Sequence, residues 1–445
     1  MKKYTVGMVS LGCPKNQVDA ELMLAKLAQA GFEITDSPYE ANVVIINTCG
    51  FIDAAKQEAI DNILEMAEYK KQGYVDAIVV TGCLAERYKD EVIEQMPEID
   101  AIVGIGGNAD IVDVCLKALE GEKYAEFPSK YCLPLNGERM LTTPSYWAYL
   151  KIAEGCSNCC TYCAIPSIRG RYRSREMEDI LAEARSLAEN GAKELVIIAQ
   201  DTTKYGNDLY GELKLPELLR KLSYIDGIEW LRLLYCYPDS ITDELLDEMR
   251  NNDKVCKYVD LPLQHADENV LKRMNRTGNK QELLELIKKI RDRVPGVIIR
   301  TTFITGFPGE TDDEFTTLSE FVKEAEFDRL GCFAYSAEEG TKAAEMPDQI
   351  DEQTKIDRGD IIMQQQFEIF SRKQDERIGK TYKVLVEGYD SYTDAYCGRS
   401  YMDAPDIDSC VYFTSSVPLE NGEFVEVRII NTKEYDLLGE CVDID

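Results

Sequence analysis

The stretch EGCSNCCTYCAIP places Cys156, Cys160 and Cys163 in a CxxxCxxC spacing. Three thiolates on one loop can hold three irons of a cubane cluster and leave the fourth iron open. An open iron can take the amino and carboxylate groups of S-adenosylmethionine. An electron from the cluster can then split the sulfonium bond and release a radical that abstracts hydrogen from an unactivated carbon. Cys159 adds a CxxC with Cys156, which is also how a zinc ribbon would begin.

Cys13, Cys49 and Cys83 form a second group. Each falls just past the carboxyl end of an expected strand, the edge where open α/β sheets collect ligands. Three such positions from three strands suggest convergence on one metal centre. His265 is the single histidine, so a His-rich zinc site is excluded. Three thiolates without a histidine favour a cluster with an open iron over a closed Cys₄ zinc site. Cys115, Cys132, Cys236, Cys256, Cys332, Cys397, Cys410 and Cys441 read as small buried hydrophobes.

The elements that must position these residues follow from periodicity. Residues 1–120 alternate apolar strands (4–12, 41–49, 76–83, 101–104) with helical patterns, which implies a parallel sheet covered on both faces. Residues 121–145, with Pro128, Pro134, Gly137 and Pro144, read as a linker. Residues 146–378 repeat a strand–helix unit six times, with strands at 147–153, 194–200, 230–237, 258–264, 297–307 and 329–336. That suits a partial, TIM-like (β/α)6 barrel with an open side. A long polar helix covers about 351–378. Residues 379–445 carry five short strands and Asn421-Gly422, the pattern of a small β-barrel. The fold class is α/β with a β-barrel tail.

Composition fits a globular chain of about three domains: 445 residues, 44% hydrophobic and 29% charged. No run approaches the ~20 apolar residues of a membrane span, and MKKYTVGMVSLGC reads as a strand rather than a signal peptide. A cytoplasmic location is expected, where fifteen cysteines stay reduced. The net charge of −31 opposes long-range attraction to a phosphate backbone and favours a basic partner.

With these motifs, the chain resembles the radical S-adenosylmethionine methylthiotransferase family, in that family's domain order. GCPKN, NTCGF and TGCLAER look like its amino-terminal domain, CxxxCxxC after the first barrel strand like its radical domain, and the tail like its TRAM domain. SLGCPKNQVDAE, INTCGFIDAAKQE, CAIPSIRGRYRSR, LPLQHA, IRTTFITGFPGET and GRSYMDAPDID resemble the branch that acts on an aspartate β-carbon of ribosomal small-subunit protein S12. The tRNA-modifying branch is the alternative.

The resemblance implies two 4Fe–4S clusters, a radical one on Cys156, Cys160 and Cys163 and an auxiliary one on Cys13, Cys49 and Cys83. It also implies two molecules of S-adenosylmethionine, one a methyl donor and one a radical source. Tyr162 would contact the adenine or pack in the barrel mouth. Gln200 and Asp201 are candidates for the methionine or ribose end of the cofactor. Thr305, Gly306, Gly309 and Glu310 either let backbone approach the cofactor or form a simple strand-to-helix turn. His265 faces the mouth or is structural. Arg169, Arg171, Arg173 and Arg175 are either solvated or meet a carboxylate of cofactor or substrate. A flavodoxin-like electron donor, a sulfur source and a monomeric state are expected; a nucleic-acid substrate and a membrane are not.

Overall fold

The computed structural model describes residues 3–442; Asp443 and Asp445 of the acidic tail lie outside that range. The first unit is a six-stranded sheet of β1 (Thr5–Ser10), β2 (Glu33–Thr35), β3 (Val43–Thr48), β4 (Ala77–Gly82), β5 (Ala101–Val103) and β6 (Tyr124–Glu126), ordered β2-β1-β3-β4-β5-β6. All pairings are parallel. Every residue of VVIINT and AIVVTG is buried, because helices supply an apolar layer on each face. One layer joins Ile46, Ile63, Met66 and Ile78; the other joins Val6, Met23, Ile45 and Val79.

The stretch expected as an irregular linker contributes β6, which pairs in register with β5. Tyr124–Glu126 is too short and too polar to announce a strand.

The second sheet contains β7 (Trp147–Lys151), β10 (Glu194–Ile198), β11 (Trp230–Leu233), β12 (Val255–Asp260), β13 (Ile298–Thr305) and β14 (Arg329–Ala334), ordered β14-β13-β12-β11-β10-β7 and all parallel. β7 and β14 are its edges, so the (β/α)6 sheet is open. Between β7 and β10, β8 (Ala153–Glu154) and β9 (Arg173–Ser174) pair antiparallel and clamp the loop that carries Cys156, Cys160 and Cys163. The covering helices are locally specified. Asn279 caps Lys280–Arg293, and Thr311 with Glu314 closes a capping box on Asp312–Ala325, satisfying orphan amides at each start.

The two faces of this sheet pack differently. Leu150, Leu195, Ile197, Leu231, Val259 and Phe303 pack against the helices. The alternating residues Trp147, Tyr149, Val196, Ile198, Trp230 and Tyr258 instead share a core with Val384, Leu385, Met402 and Phe413 of the tail. The tail is a closed barrel of β15 (Thr381–Asp390), β16 (Ala395–Ser400), β17 (Val411–Thr414), β18 (Phe424–Lys433) and β19 (Asp436–Cys441), ordered β15-β16-β17-β19-β18. It therefore packs on the sheet face opposite those helices.

GRSYMDAPDID bolts the barrel in place. Arg399 pairs with Glu194 at 2.7 Å, Arg329 with Asp403 at 2.6 Å, and Tyr258 Oη donates to Asp408 at 2.6 Å. Among the described residues, no helix is long and apolar enough to cross a membrane.

Candidate active site

Cys13 is the last extended residue before helix Pro14–Gln29, Cys49 follows β3, and Cys83 opens helix Cys83–Gln95 after β4. Because β1, β3 and β4 are adjacent and in register, the three cysteines reach one edge of the first sheet. Their loops approach closely. Gly12 takes a left-handed φ of +91°, and a Cβ there would sit 2.9 Å from Cys49 Sγ, so only glycine fits.

Burial pushes the Cys83 thiol up to about 12 and raises Cys49. Burial would raise Cys13 too, but Lys15 and Arg169 beside it hold it below its usual value.

The second triad lies at the carboxyl end of β7. Gly155, at φ +76°, lets the chain turn against the carbonyls of Gly170 and Arg171. Cys156 N–H donates to Gly170 O at 3.1 Å, and Thr161 N–H to Met274 O at 3.0 Å. Arg276 crosses the loop, its Nη1 3.8 Å from Cys160 Sγ and 3.5 Å from Tyr162 Oη. Burial raises the Cys163 thiol to about 12 and Cys156 to about 11. Cys159 is exposed, at φ +54°, and its carbonyl accepts from Asn275 Nδ2 at 3.0 Å. A cavity of about 490 Å³ opens beside this loop, lined by Tyr131, Cys156, Cys159, Pro166 and Arg171.

A buried ion network joins the two triads. Arg169, 1% exposed, donates to Asp19 Oδ2 at 2.8 Å, Glu154 Oε2 at 3.1 Å and Asn16 Oδ1 at 3.1 Å. Lys151 pairs with the same Asp19 and Glu154. Glu154 Oε1 accepts from Gly155 N–H at 3.0 Å and from Gln200 Nε2 at 2.8 Å. Burial would raise the Glu154 carboxyl, but Arg169 and Lys151 hold it well below the usual carboxylate range. Two further bridges fasten the first unit to the barrel: Arg139 to Glu21 and Glu183, and Arg87 with Lys56 to Glu338.

The remaining candidates divide. Tyr162 packs with Val270, Met274, Phe307 and Tyr335. Gln200 Oε1 is buried without a partner, whereas Asp201 accepts from Asn158 at 2.9 Å and Thr203 at 2.7 Å. Thr305 Oγ1 donates to Lys355 O at 3.0 Å, and the missing side chain of Gly306 makes room for Lys355. Gly309 O accepts from Arg273 at 3.2 Å. Glu310 accepts from Gly306 N–H at 3.0 Å and from Arg358 at 2.9 Å. Both Glu310 oxygens are thus taken up inside the turn, so it shapes the mouth rather than offering a free carboxylate.

His265 is buried; its Nδ1 accepts from Asp267 N–H at 3.0 Å, leaving Nε2 as the protonated nitrogen of the neutral ring, 3.6 Å from Glu310. It points into that turn. The basic run is split: Arg169 and Arg175 are buried in ion pairs, and Arg171 is exposed. Cys132, expected inside, is exposed, because it ends the short turn Lys130–Cys132 rather than an apolar element.

Among the described residues, no three Cys, His, Asp or Glu side chains are drawn together as a closed metal site. The thiols of each triad nevertheless lie within electrostatic reach of one another. The guanidinium beside Cys160 and the unpartnered acceptor on Gln200 fit a thiolate-ligated cluster and a cofactor carrying an amino donor.

Family models match residues 5–104 (Uncharacterized protein family UPF0004), 150–322 (Radical SAM superfamily) and 378–442 (TRAM domain). The ribosomal protein uS12 methylthiotransferase RimO of Acetivibrio thermocellus is 51% identical over 99% of this chain and 99% of its own length. Those of Thermoanaerobacter sp. and Clostridioides difficile are also 51% identical, over 98% of this chain and 99% and 98% of theirs. The chain belongs to the RimO family.

Distant structures share the fold of this chain at low identity. The radical S-adenosylmethionine methyltransferase TsrM from Kitasatospora setae aligns over 75% of each chain with a TM-score of 0.56 at 16% identity. The cobalamin-dependent radical enzyme OxsB aligns over 83% of this chain and 56% of its own, with a TM-score of 0.50 at 12% identity. Sequence reasoning missed Lys15, Asp19, Glu154 and Arg276 of this RimO-family site. Only the charged residues embedded in SLGCPKNQVDAE and EGCSNCCTYCAIP hinted at the first three.

Proposed function

We infer that the chain is a radical S-adenosylmethionine enzyme that methylthiolates the β-carbon of an aspartate in ribosomal protein uS12. The observation that carries this is identity of about half the residues over nearly the full length of uS12 methylthiotransferases. When bound, the two 4Fe–4S clusters and S-adenosylmethionine supply a hydrogen-abstracting radical and a sulfur to be methylated and transferred.

Cys156, Cys160 and Cys163 would hold the radical cluster, and Cys13, Cys49 and Cys83 the auxiliary one. Arg276 offsets thiolate charge at Cys160. Gln200, whose Oε1 is buried without a partner, would accept from the cofactor amino group, and Tyr162 would contact the adenine. Asp201 orders the loop through Asn158, while Thr305, Gly306, Gly309 and Glu310 shape the mouth. The Asp19–Arg169–Glu154 network keeps the two cysteine loops in fixed relation and excludes water between them. A flavodoxin-like electron donor and a sulfur source complete the reaction.

The test is mass spectrometry of ribosomal proteins and of tRNA from a strain lacking this chain. Loss of the methylthio group from uS12 alone is expected. Its loss from tRNA, with uS12 unchanged, would transfer the assignment to the tRNA-modifying branch.

A further inference from the structure

The second sheet has two edges, β7 and β14, and they are treated differently. Ile152 N–H donates to Ile198 O at 3.0 Å, so the alternate backbone groups of β7 face outward. Side chains take them up there. Thr143 bonds the Trp147 carbonyl at 2.9 Å, Arg139 that of Tyr149 at 2.7 Å and Arg175 that of Lys151 at 2.6 Å. At the other edge, Tyr335 N–H donates to Thr305 O at 2.9 Å. By the same alternation, the amides and carbonyls of Leu330, Cys332 and Ala334 point away from β13. No group among the described residues bonds to them, and all three residues are only half-buried. The edge strands of the first sheet, β2 and β6, are three residues each, and shortness limits unwanted pairing. β14 has six residues and neither protection.

A groove runs beside this edge. Helix Glu352–Asp375 forms one wall and the barrel tail the other, around a cavity of about 370 Å³ lined by Leu330, Gly331, Met363, Phe367, Ile407 and Tyr435. Phe333, Phe367, Ile407 and Tyr435 are exposed, an apolar strip for the alternate side chains of a strand. Arg300 and Arg329, also on the lining, are already paired with Asp260 and Asp403. The exposed charges at the rim are mostly acidic. Asp360 precedes Met363 by one helical turn and lies within electrostatic reach of Cys332. Asp406 adjoins Ile407, and Glu434 adjoins Tyr435 with Lys433 beside it.

We propose that the free edge of β14 captures an extended, basic segment of the protein substrate as an added strand. This rests on the uS12 reading above, which makes the substrate a basic ribosomal protein. In this mode main-chain hydrogen bonds give the affinity and pockets for alternate side chains the specificity. The acidic rim attracts Lys and Arg. It disfavours a phosphate backbone, and equally a second copy of a chain whose net charge is −31. The edge also leads to the chemistry. Tyr335, directly after β14, packs with Tyr162, and Ala343 N–H donates to Thr161 O at 2.9 Å. A strand laid along β14, about 20 Å long, therefore delivers the chain beyond it to the cysteine loop.

The test uses full-length, iron-reconstituted protein without reductant. The probe is a labelled peptide spanning the uS12 aspartate and the residues on either side, read by fluorescence anisotropy. Two further peptides carry N-methyl groups on alternate amides, one set each. A strand on an edge donates every second amide to it. One methylated peptide should therefore bind like the parent and the other roughly tenfold or more weakly. Ala334→Pro removes an outward N–H where an edge strand tolerates proline. It should weaken the parent peptide by a similar factor, with iron content and thermal midpoint unchanged. Asp360→Lys should weaken binding at low ionic strength, and less in added salt.

Equal binding of the two methylated peptides would overturn the proposal. So would an unchanged affinity in Ala334→Pro. A wild-type dimer that Ala334→Pro converts to monomer in sedimentation would also overturn it, by giving the edge to a second copy of the chain. Should Ala334→Pro lose iron or stability, the methylated peptides on wild type still decide. Methylthiolation of uS12 by wild type tests the parent reading separately. If wild type modifies uS12 while the peptides bind alike or not at all, only the edge assignment falls; if wild type neither binds the peptide nor modifies uS12, both fall.

Discussion

Arg169 and Asp19 form a buried ion pair, Nη1 to Oδ2 at 2.8 Å, across the boundary between the two cysteine-bearing units. Asp19 lies on the helix that begins at Cys13, and Arg169 closes the loop that carries Cys156, Cys160 and Cys163. Any relative movement of the two triads must therefore break a desolvated pair. The pair ties the two loops together, as the proposed transfer of sulfur between them requires.

Removing one partner leaves the other charge buried. Asp19→Asn should lower stability by about 3–5 kcal/mol, read as a fall in the denaturant midpoint. The double variant Asp19→Asn, Arg169→Met should lose less than the two single losses added together. Simple additivity would show that the pair is not coupled.

The Cys156, Cys160 and Cys163 to Ala triple variant should retain about half of the reconstituted iron, since three ligands of one cubane are lost. It should produce no deoxyadenosine under reducing conditions. Continued cleavage of S-adenosylmethionine by this variant would sink the assignment of the radical triad.

Cys13, Cys49 and Cys83 should separate the two halves of the reaction. With all three replaced by Ala, deoxyadenosine should still form, but no methylthio product should appear on uS12 in mass spectra. Loss of cofactor cleavage in a folded protein with its radical cluster intact would contradict that division.

The alternation of buried strands was legible because VVIINT and AIVVTG are apolar throughout, and so was the placement of six cysteines at strand ends. Other features left no local signal. β8 and β9 are two residues each and exist because they clamp a loop. The ion pairs of Asp19 with Lys151 and Arg169 join residues more than a hundred positions apart, beyond any periodicity. Sequence leaves Glu310 open between a cofactor-side stretch and a strand-to-helix turn; a backbone amide and Arg358 claim it for the turn. The tail reads as an appended barrel, but Trp147, Trp230 and Tyr258 show that it shares the radical domain's core.

Glu194 is where that shared core becomes pH-dependent. Burial alone would raise its carboxyl, but Arg232 and Arg399 hold it below the usual 4.5. A carboxyl depressed in the folded state gives stability that is present above the unfolded value and is lost as pH falls through the folded one. The midpoint of thermal unfolding should therefore drop on the acid side of pH 4.5. Glu194→Gln should be less stable at pH 7 and should show a shallower fall there. An acid limb of unchanged steepness in Glu194→Gln would assign acid sensitivity to other carboxyls.

The tail also bears on substrate capture. Residues 379–445 hold five basic and fourteen acidic side chains, a difference of −9. Arg399, Asp403 and Asp408 are drawn into the junction with the radical domain, and Lys383 pairs with Glu229 there, so the outward face keeps an acidic excess. Asp394, Asp406, Glu420, Glu426 and Glu434 are exposed on it. Such a face repels phosphate and steers a basic ribosomal protein. Deleting the tail would strip the inner face of the second sheet, so deletion cannot isolate this effect. Replacing Asp394, Glu420, Glu426 and Glu434 with Lys leaves the core untouched. That variant should associate with uS12 more slowly at low ionic strength, and the difference should shrink with added salt, since exposed charges are screened beyond ~8 Å at physiological ionic strength. Stopped-flow association across a salt series reads both quantities. Equal rates for wild type and variant at low salt, or tight tRNA binding by the wild type, would remove the tail from protein capture.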